Sequence, residues 1–155
     1  MVETEHLEHD EQVVVFEVAG ESYGIDITCV QEIIRRPAIT AVPRAPQCVE
    51  GVMNLRGRVI PVVNLRERFN LPAAEPGRMA RIIVLEYAGQ LVGFAVDAVA
   101  EVLRVPPSAV EAPGATLTGP ENAHLRGIAK CDDRLVVLLN LDLVVDLSHV
   151  ITLAA

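Results

Sequence analysis

Four carboxylates, Asp26, Glu32, Asp97 and Glu101, fall in two matching stretches of the chain, and a pair of them brought together could do general acid and base work. Each sits singly among alternating apolar residues, which reads as solvated strand faces and turn surfaces. Nucleophilic chemistry finds no frame. Ser22, Ser108 and Ser148 are the only serines, and GxSxG, GxxxxGK[ST], HExxH and GxGxxG are all missing. His6, His9, His124 and His149 are scattered, and Cys29, Cys48 and Cys131 lack CxxC spacing, so neither a metal nor a cofactor is expected and the thiols read as reduced. The chain is predicted not to be an enzyme.

Arginine usage is more distinctive. Twelve of the thirteen basic residues are Arg, with Lys130 the exception. Guanidinium groups pair with carboxylates through two prongs and are enriched where proteins meet, whereas Lys is depleted there. An arginine-rich genome would leave the same bias, so position says more than count. Glu32 and Arg56 lie where a second copy of the same pattern carries Glu101 and Asp132. Only the first copy is expected to form a Glu–Arg pair, which points to a recognition surface on that copy.

That second copy organises the chain. VFEVAGESYGIDITCVQEIIR (15–35) matches VLEYAGQLVGFAVDAVAEVLR (84–104) at a constant offset of 69. GVMNLRGRVIPVVNL from Gly51 matches GIAKCDDRLVVLLNL from Gly127 at an offset of 76, the difference falling in the Pro/Gly/Thr-rich stretch 106–122. LPAAEPGRMA (71–80) reads as the join.

Each copy reads as β structure. Gln12 to Ala19 is rich in β-branched and aromatic residues. A turn at Gly20-Glu21 precedes Tyr23, Ile25 and Ile27, which alternate with Gly24 and Asp26, as expected of one buried and one wet face. Val30, Ile33 and Ile34 have helical spacing and predict a short helical turn. Gly51 to Leu65 reads as a hairpin closed at Arg56-Gly57, where glycine suits positive φ. Pro61 predicts a bulge or an edge there. Short strands without long helices predict an all-β fold of two pseudo-repeated, five-stranded β-barrels, about 12–71 and 80–147, packed together with short helical turns. Residues 1–11 read as a disordered acidic tail and 148–155 as a C-terminal tail.

Composition narrows the partners. The chain has 155 residues, 51% hydrophobic and 22% charged, enough for a core without disulfides. The net charge of −8 divides into −5 over residues 1–12, +1 over 13–71 and −4 over 72–155. An acidic total, no Trp and few aromatics oppose nucleic-acid binding, although seven Arg in 13–71 keep a small RNA-binding barrel as a second reading. No signal peptide opens the chain, and the apolar run Leu135–Leu147 is broken by Asn140, Asp142 and Asp146. A cytoplasmic protein is expected.

YGIDITCVQEIIRRPAITAVPRAPQCVEGVMNLRGRVIPVVNLRERF, Tyr23 to Phe69, resembles the CheW family of chemotaxis coupling proteins, and weaker likeness continues over most of 12–147. The resemblance implies two five-stranded barrels and a stand-alone, non-enzymatic adaptor. Such an adaptor is recruited to membrane-associated arrays and bridges chemoreceptor tips to the histidine kinase CheA. The regulatory domain of CheA is similar to the family, which implies alternating barrel-to-barrel contacts in rings. It implies that Glu32 and Arg56 serve receptor coupling, with Val30, Ile27, Val52, Gly51 and Gly57 around them in a shallow groove. Asp132 and Asp142, together with the loop residues Gly114 and Ala115, are possible kinase contacts; relatives often have bulkier side chains in that loop. A coupling role outside flagellar chemotaxis, in pili or gene regulation, is the alternative within the family.

Overall fold

The computed structural model describes residues 10–112, 124–131 and 133–144. Five strands belong to the first copy: β1 (Glu11–Val18), β2 (Glu21–Asp26), β3 (Val30–Arg35), β4 (Val49–Leu55) and β5 (Arg58–Asn64). The second copy supplies β6 (Arg81–Tyr87), β7 (Gln90–Val96), β8 (Ala98–Val105), the two-residue β9 (Val110–Glu111), β10 (Leu125–Cys131) and β11 (Arg134–Leu139). One-turn helices α1 (Leu65–Arg68) and α2 (Leu141–Val144) follow β5 and β11.

The strands form two sheets, ordered β8-β1-β2-β11-β10-β9 and β3-β6-β7-β5-β4. At the repeat offsets β1 corresponds to β6, β2 to β7, β3 to β8, β4 to β10 and β5 to β11, and the two orders then coincide except for β9, a sixth strand on the first sheet whose place beside β4 on the second is taken by the isolated Thr40–Val52 bridge. Each sheet therefore draws strands from both copies. The division at about 12–71 and 80–147 describes the repeat in sequence but not the hydrogen-bonded units, because the hairpins β1–β2 and β6–β7 are exchanged: β1 and β2 join β8, β10 and β11, and β6 and β7 join β3, β4 and β5. Turn chemistry sets the hairpins. Ala19-Gly20, Arg56-Gly57 and Ala88-Gly89 all have positive φ at both positions, the geometry that suits a two-residue hairpin loop. The first turn thus sits one residue earlier than Gly20-Glu21.

Each sheet curls around a private core. Val105 on β8 joins Val13, Val15, Val136, Leu138 and Ala129 on the first sheet, with Val110 of β9 packed against them, so strands from both of its edges meet over one cluster. Met53, Ile60, Val62, Ile82 and Val84 do the same on the second. The alternate residues, Val14, Phe16, Ile83, Leu85 and Phe94 among them, form the largest cluster between the two barrels. Both faces of β1 and β6 are thus covered. The same holds for β2: Gly24 is buried rather than wet, because a Cβ there would come within 2.3 Å of Val13 Cγ1.

One local expectation is corrected and another narrowed. Val30–Arg35 is a strand, with Val30, Glu32 and Ile34 alternating against exposed neighbours. The helical turn lies three residues earlier, at Ile27–Cys29, where Asp26 accepts from the Thr28 N–H at 2.9 Å. Pro61 sits on β5, an interior strand and not an edge, while the expected bulge is present beside it, where the β4–β5 register shifts between Val49 and Gly51 opposite Val63 and Val62. Val52, the register partner of Pro61, exchanges both backbone hydrogen bonds with Thr40 instead (2.9 Å each), so the β4 ladder asks nothing of the Pro61 nitrogen. The parallel ladder to β7 starts one residue later, at Val62.

An aromatic row runs beside the central core: Phe16, Tyr23, Phe69 and His124, with successive centroids at 6.0, 4.9 and 4.4 Å. His124 is 8% exposed. Burial, and secondarily the Arg68 charge, push its pKa below the ordinary value of 6.5. The unfolded chain then takes up this proton at a higher pH than the folded one. Stability from this site is full above pH 6.5 and is lost as pH falls through the folded-state value. Urea midpoints should therefore decline as pH falls below about 6.5, and His124→Phe, which keeps the stack, should flatten that decline. Phe94→Ala should cost about 3–5 kcal/mol and leave one cooperative urea transition; separate transitions would mean that the barrels fold independently.

Candidate docking site

Arg56 stands on the β4–β5 turn with φ of 51°, and Gly57 follows at 85°. The Gly57 N–H donates to Asn54 Oδ1 at 2.9 Å, which fixes the turn. Glu32 lies on β3, the opposite edge of the same sheet. Arg56 Nη1 donates to Glu32 Oε1 at 3.4 Å, and Nη2 bonds Oε2. The hydrogen bond to that carboxylate, with its charge, raises the Arg56 pKa above an already high ordinary value. The pair clasps the seam where the edges of the curled sheet approach. Arg56 remains 69% exposed and Glu32 31%.

The second barrel repeats the clasp with altered chemistry. Arg134 Nη1 bonds Glu101 Oε2, from β11 to the edge strand β8. Arg134 is the counterpart of Arg58 rather than Arg56. The expectation that only the first copy forms a Glu–Arg pair is thus overturned: the second copy supplies its arginine from just after the turn. What distinguishes the first clasp is an arginine on the turn itself, where the guanidinium is more exposed than that of Arg134 at 38%.

The remaining candidates divide by exposure. Ile27 and Val30 are half-buried against the central core, and Val52 is half-buried on β4 beside Thr40. Gly51 is buried, and a Cβ on it would lie 2.2 Å from the Thr40 carbonyl oxygen. It therefore lines no surface; it lets the 37–48 segment approach the sheet. Gly57 is exposed on the turn. Asp142 is exposed on α2, its N–H donating to Asn140 Oδ1 at 3.0 Å. Asp132, Gly114 and Ala115 lie outside the described residues.

The four carboxylates do not converge. Asp26 caps the turn at Thr28, Glu32 and Glu101 hold their arginines, and Asp97 takes Arg66 (2.7 and 3.3 Å) and the Ala19 N–H (2.7 Å). Cys29 has its thiol pKa raised, by burial first and then by Asp26, and no disulfide joins the three cysteines. Among the described residues no group of three or more His, Cys, Asp or Glu could hold a metal ion, and no helix is long and apolar enough to cross a membrane. Sequence reasoning missed a set of exposed apolar side chains that recur at equivalent positions: Ile33 with Val102, and Val59 with Leu135, each 41–61% exposed. The repeat offsets were the signal that could have found them.

The family model of the CheW-like domain matches residues 12–149. The chain is 34% identical to the chemotaxis protein CheW of Bacillus subtilis over 143 residues, 92% of both chains. It is likewise 34% identical to the Helicobacter pylori chemotaxis protein CheW over 131 residues, 84% of this chain and 79% of that one. The crystal structure of the scaffolding protein TtCheW from Thermoanaerobacter tengcongensis superposes with a TM-score of 0.82 at 37% identity, covering 88% of this chain and 93% of the other. Two curled sheets from a duplicated sequence, and likeness along nearly the whole length, have one explanation: the chain belongs to the CheW family of chemotaxis coupling adaptors.

Proposed function

We propose that this adaptor joins the cytoplasmic tips of chemoreceptors to the regulatory domain of CheA, and that the Glu32–Arg56 clasp is the centre of its receptor-docking face. The observation that carries this reading is the clasp itself. Exposed ion pairs add little to stability, and the equivalent seam in the other barrel is held by a different arginine. A guanidinium raised on a turn and oriented by one carboxylate keeps free donors for a partner's acceptors. Val30, Ile27 and Val52 offer partly exposed aliphatic surface suited to a helical hairpin, and Gly57 keeps the turn low. The chain works at the cytoplasmic side of the membrane, recruited there by these contacts.

Kinase contacts fall on the outer barrel faces. Exposed apolar side chains at equivalent positions, Ile33 with Val102 and Val59 with Leu135, give each barrel a similar sticky face. A partner built from similar barrels can engage them head to tail, and such heterologous contacts close into rings. The acidic second copy, with Asp142 exposed on α2, favours a basic counter-surface.

In a reconstituted mixture of receptor, kinase and adaptor, Glu32→Lys should weaken receptor binding at least roughly tenfold and remove receptor-dependent kinase stimulation. Its circular dichroism and melting should match the parent. The exchange Glu32→Arg with Arg56→Glu should restore little, since it rebuilds the clasp but inverts what the partner meets. Full receptor coupling by Glu32→Lys would overturn the assignment. Asp142→Lys should weaken kinase pulldown at low salt without touching receptor binding.

A further inference from the structure

One end of the β3–β6 pair gathers arginines. Arg35 and Arg81 are direct register partners, so their side chains lie on one face. Arg36 and Arg78 line the same open cleft, with Met79 58% exposed among them. Like charges directly opposite one another destabilise a strand pair. Glu50 meets the charge of Arg36. Arg81 Nη1 donates to the carbonyls of Arg78 and Ala80, at 3.1 and 2.8 Å, which leaves its charge uncancelled. Among the described residues, no carboxylate pairs with Arg35, Arg78 or Arg81. Nor does the fold require the arrangement: the equivalent partners in the other barrel are Gln12 and Arg104.

A chain of net charge −8 thus holds three unneutralised guanidinium groups in one cleft. It also holds the matching counter-charge. The ten residues before β1 carry Glu3, Glu5, Glu8 and Asp10 without a Lys or Arg, and Glu11, the first residue of β1, is already paired with Arg126. The Asp97 N–H donates to the Glu17 carbonyl at 2.9 Å, and Val96 is the register partner of Arg81. The far end of β1 therefore lies beside the arginine end of β6. Glu11 is six strand residues from there, about 20 Å. Eight extended residues, from Glu11 back to Glu3, span about 26 Å. We propose that the Arg35–Arg78–Arg81 cleft is an acidic-peptide site, occupied in the free chain by its own N-terminal acids.

The test is arginine modification of the full chain by phenylglyoxal, followed residue by residue by mass spectrometry. At low salt, Arg35 and Arg78 should react several-fold more slowly in the parent than in a Glu3→Gln, Glu5→Gln, Glu8→Gln variant, while exposed Arg58 reacts equally in both. The difference should vanish near about 0.5 M NaCl, where screening removes contacts of this kind. Equal rates at low salt would overturn the proposal. Protection that grows with protein concentration would also overturn it, by assigning the contact to the tail of a second copy.

Discussion

The central core between the barrels is the constraint on which the rest depends. Every residue of β1 from Val13 to Phe16, and of β6 from Ile82 to Leu85, is buried, odd positions on one side and even on the other. A strand covered on both faces reads as a continuous apolar run rather than an alternating one, and VVVF and IIVL are such runs. Exchange of the β1–β2 and β6–β7 hairpins then ties the halves covalently as well as by packing. Neither barrel can close until both copies are made, because each combines the first hairpin of one copy with the later strands of the other. A small barrel alone buries too little to be stable. Here the area lost to small size is recovered in the shared core.

This arrangement also decides where recognition can sit. The inner faces are consumed by the private cores and one outer face by the central core. What remains is the outer faces turned away from the central core, the seams and the strand ends, and both Glu–Arg clasps lie across seams. A clasp there does two things. It covers the approach of two edges that would otherwise invite pairing with another chain, and it presents charge at a place that cannot move independently of the barrel. The Asp97 carboxylate does similar work inside the molecule. By taking both Arg66 and the Ala19 N–H, it fixes the β7–β8 corner to the β1–β2 turn and to α1.

The repeat, the hairpin at Arg56-Gly57 and the all-β class were legible because each rests on local chemistry: turn residues, β-branched runs and constant offsets. Strand exchange was not. An offset says which segments are equivalent, not which sheet each one joins, and the β1–β2 hairpin is as compatible with its own copy as with the other. The misread helical turn has a similar origin. Val30, Ile33 and Ile34 satisfy a helical period, yet Ile33 is the exposed member of an edge strand and Ile34 the inward one, so a short apolar run fits both periods. Glu32 and Arg56 were found from sequence, but their uniqueness was overstated. Aligning Arg56 with Asp132 hid Arg134, whose side chain reaches the same kind of glutamate from two positions along the chain. A long side chain makes contact equivalent where position is not.

That last difference explains how a duplicated module can hold two non-identical faces. In the second barrel the clasping arginine sits in the first position of β11, its backbone committed to the ladder with Cys131. In the first barrel the arginine has left the ladder for the turn, in a left-handed conformation that residues other than glycine adopt at a cost. The hairpin tolerates that cost because the twist of a two-residue loop demands it. The result is a guanidinium carried outward from the sheet, held on one side by Glu32 and open on the other. Stability alone would be served as well by the second design. A seam closed from the strand serves the barrel, and a seam closed from the turn also serves whatever docks on it.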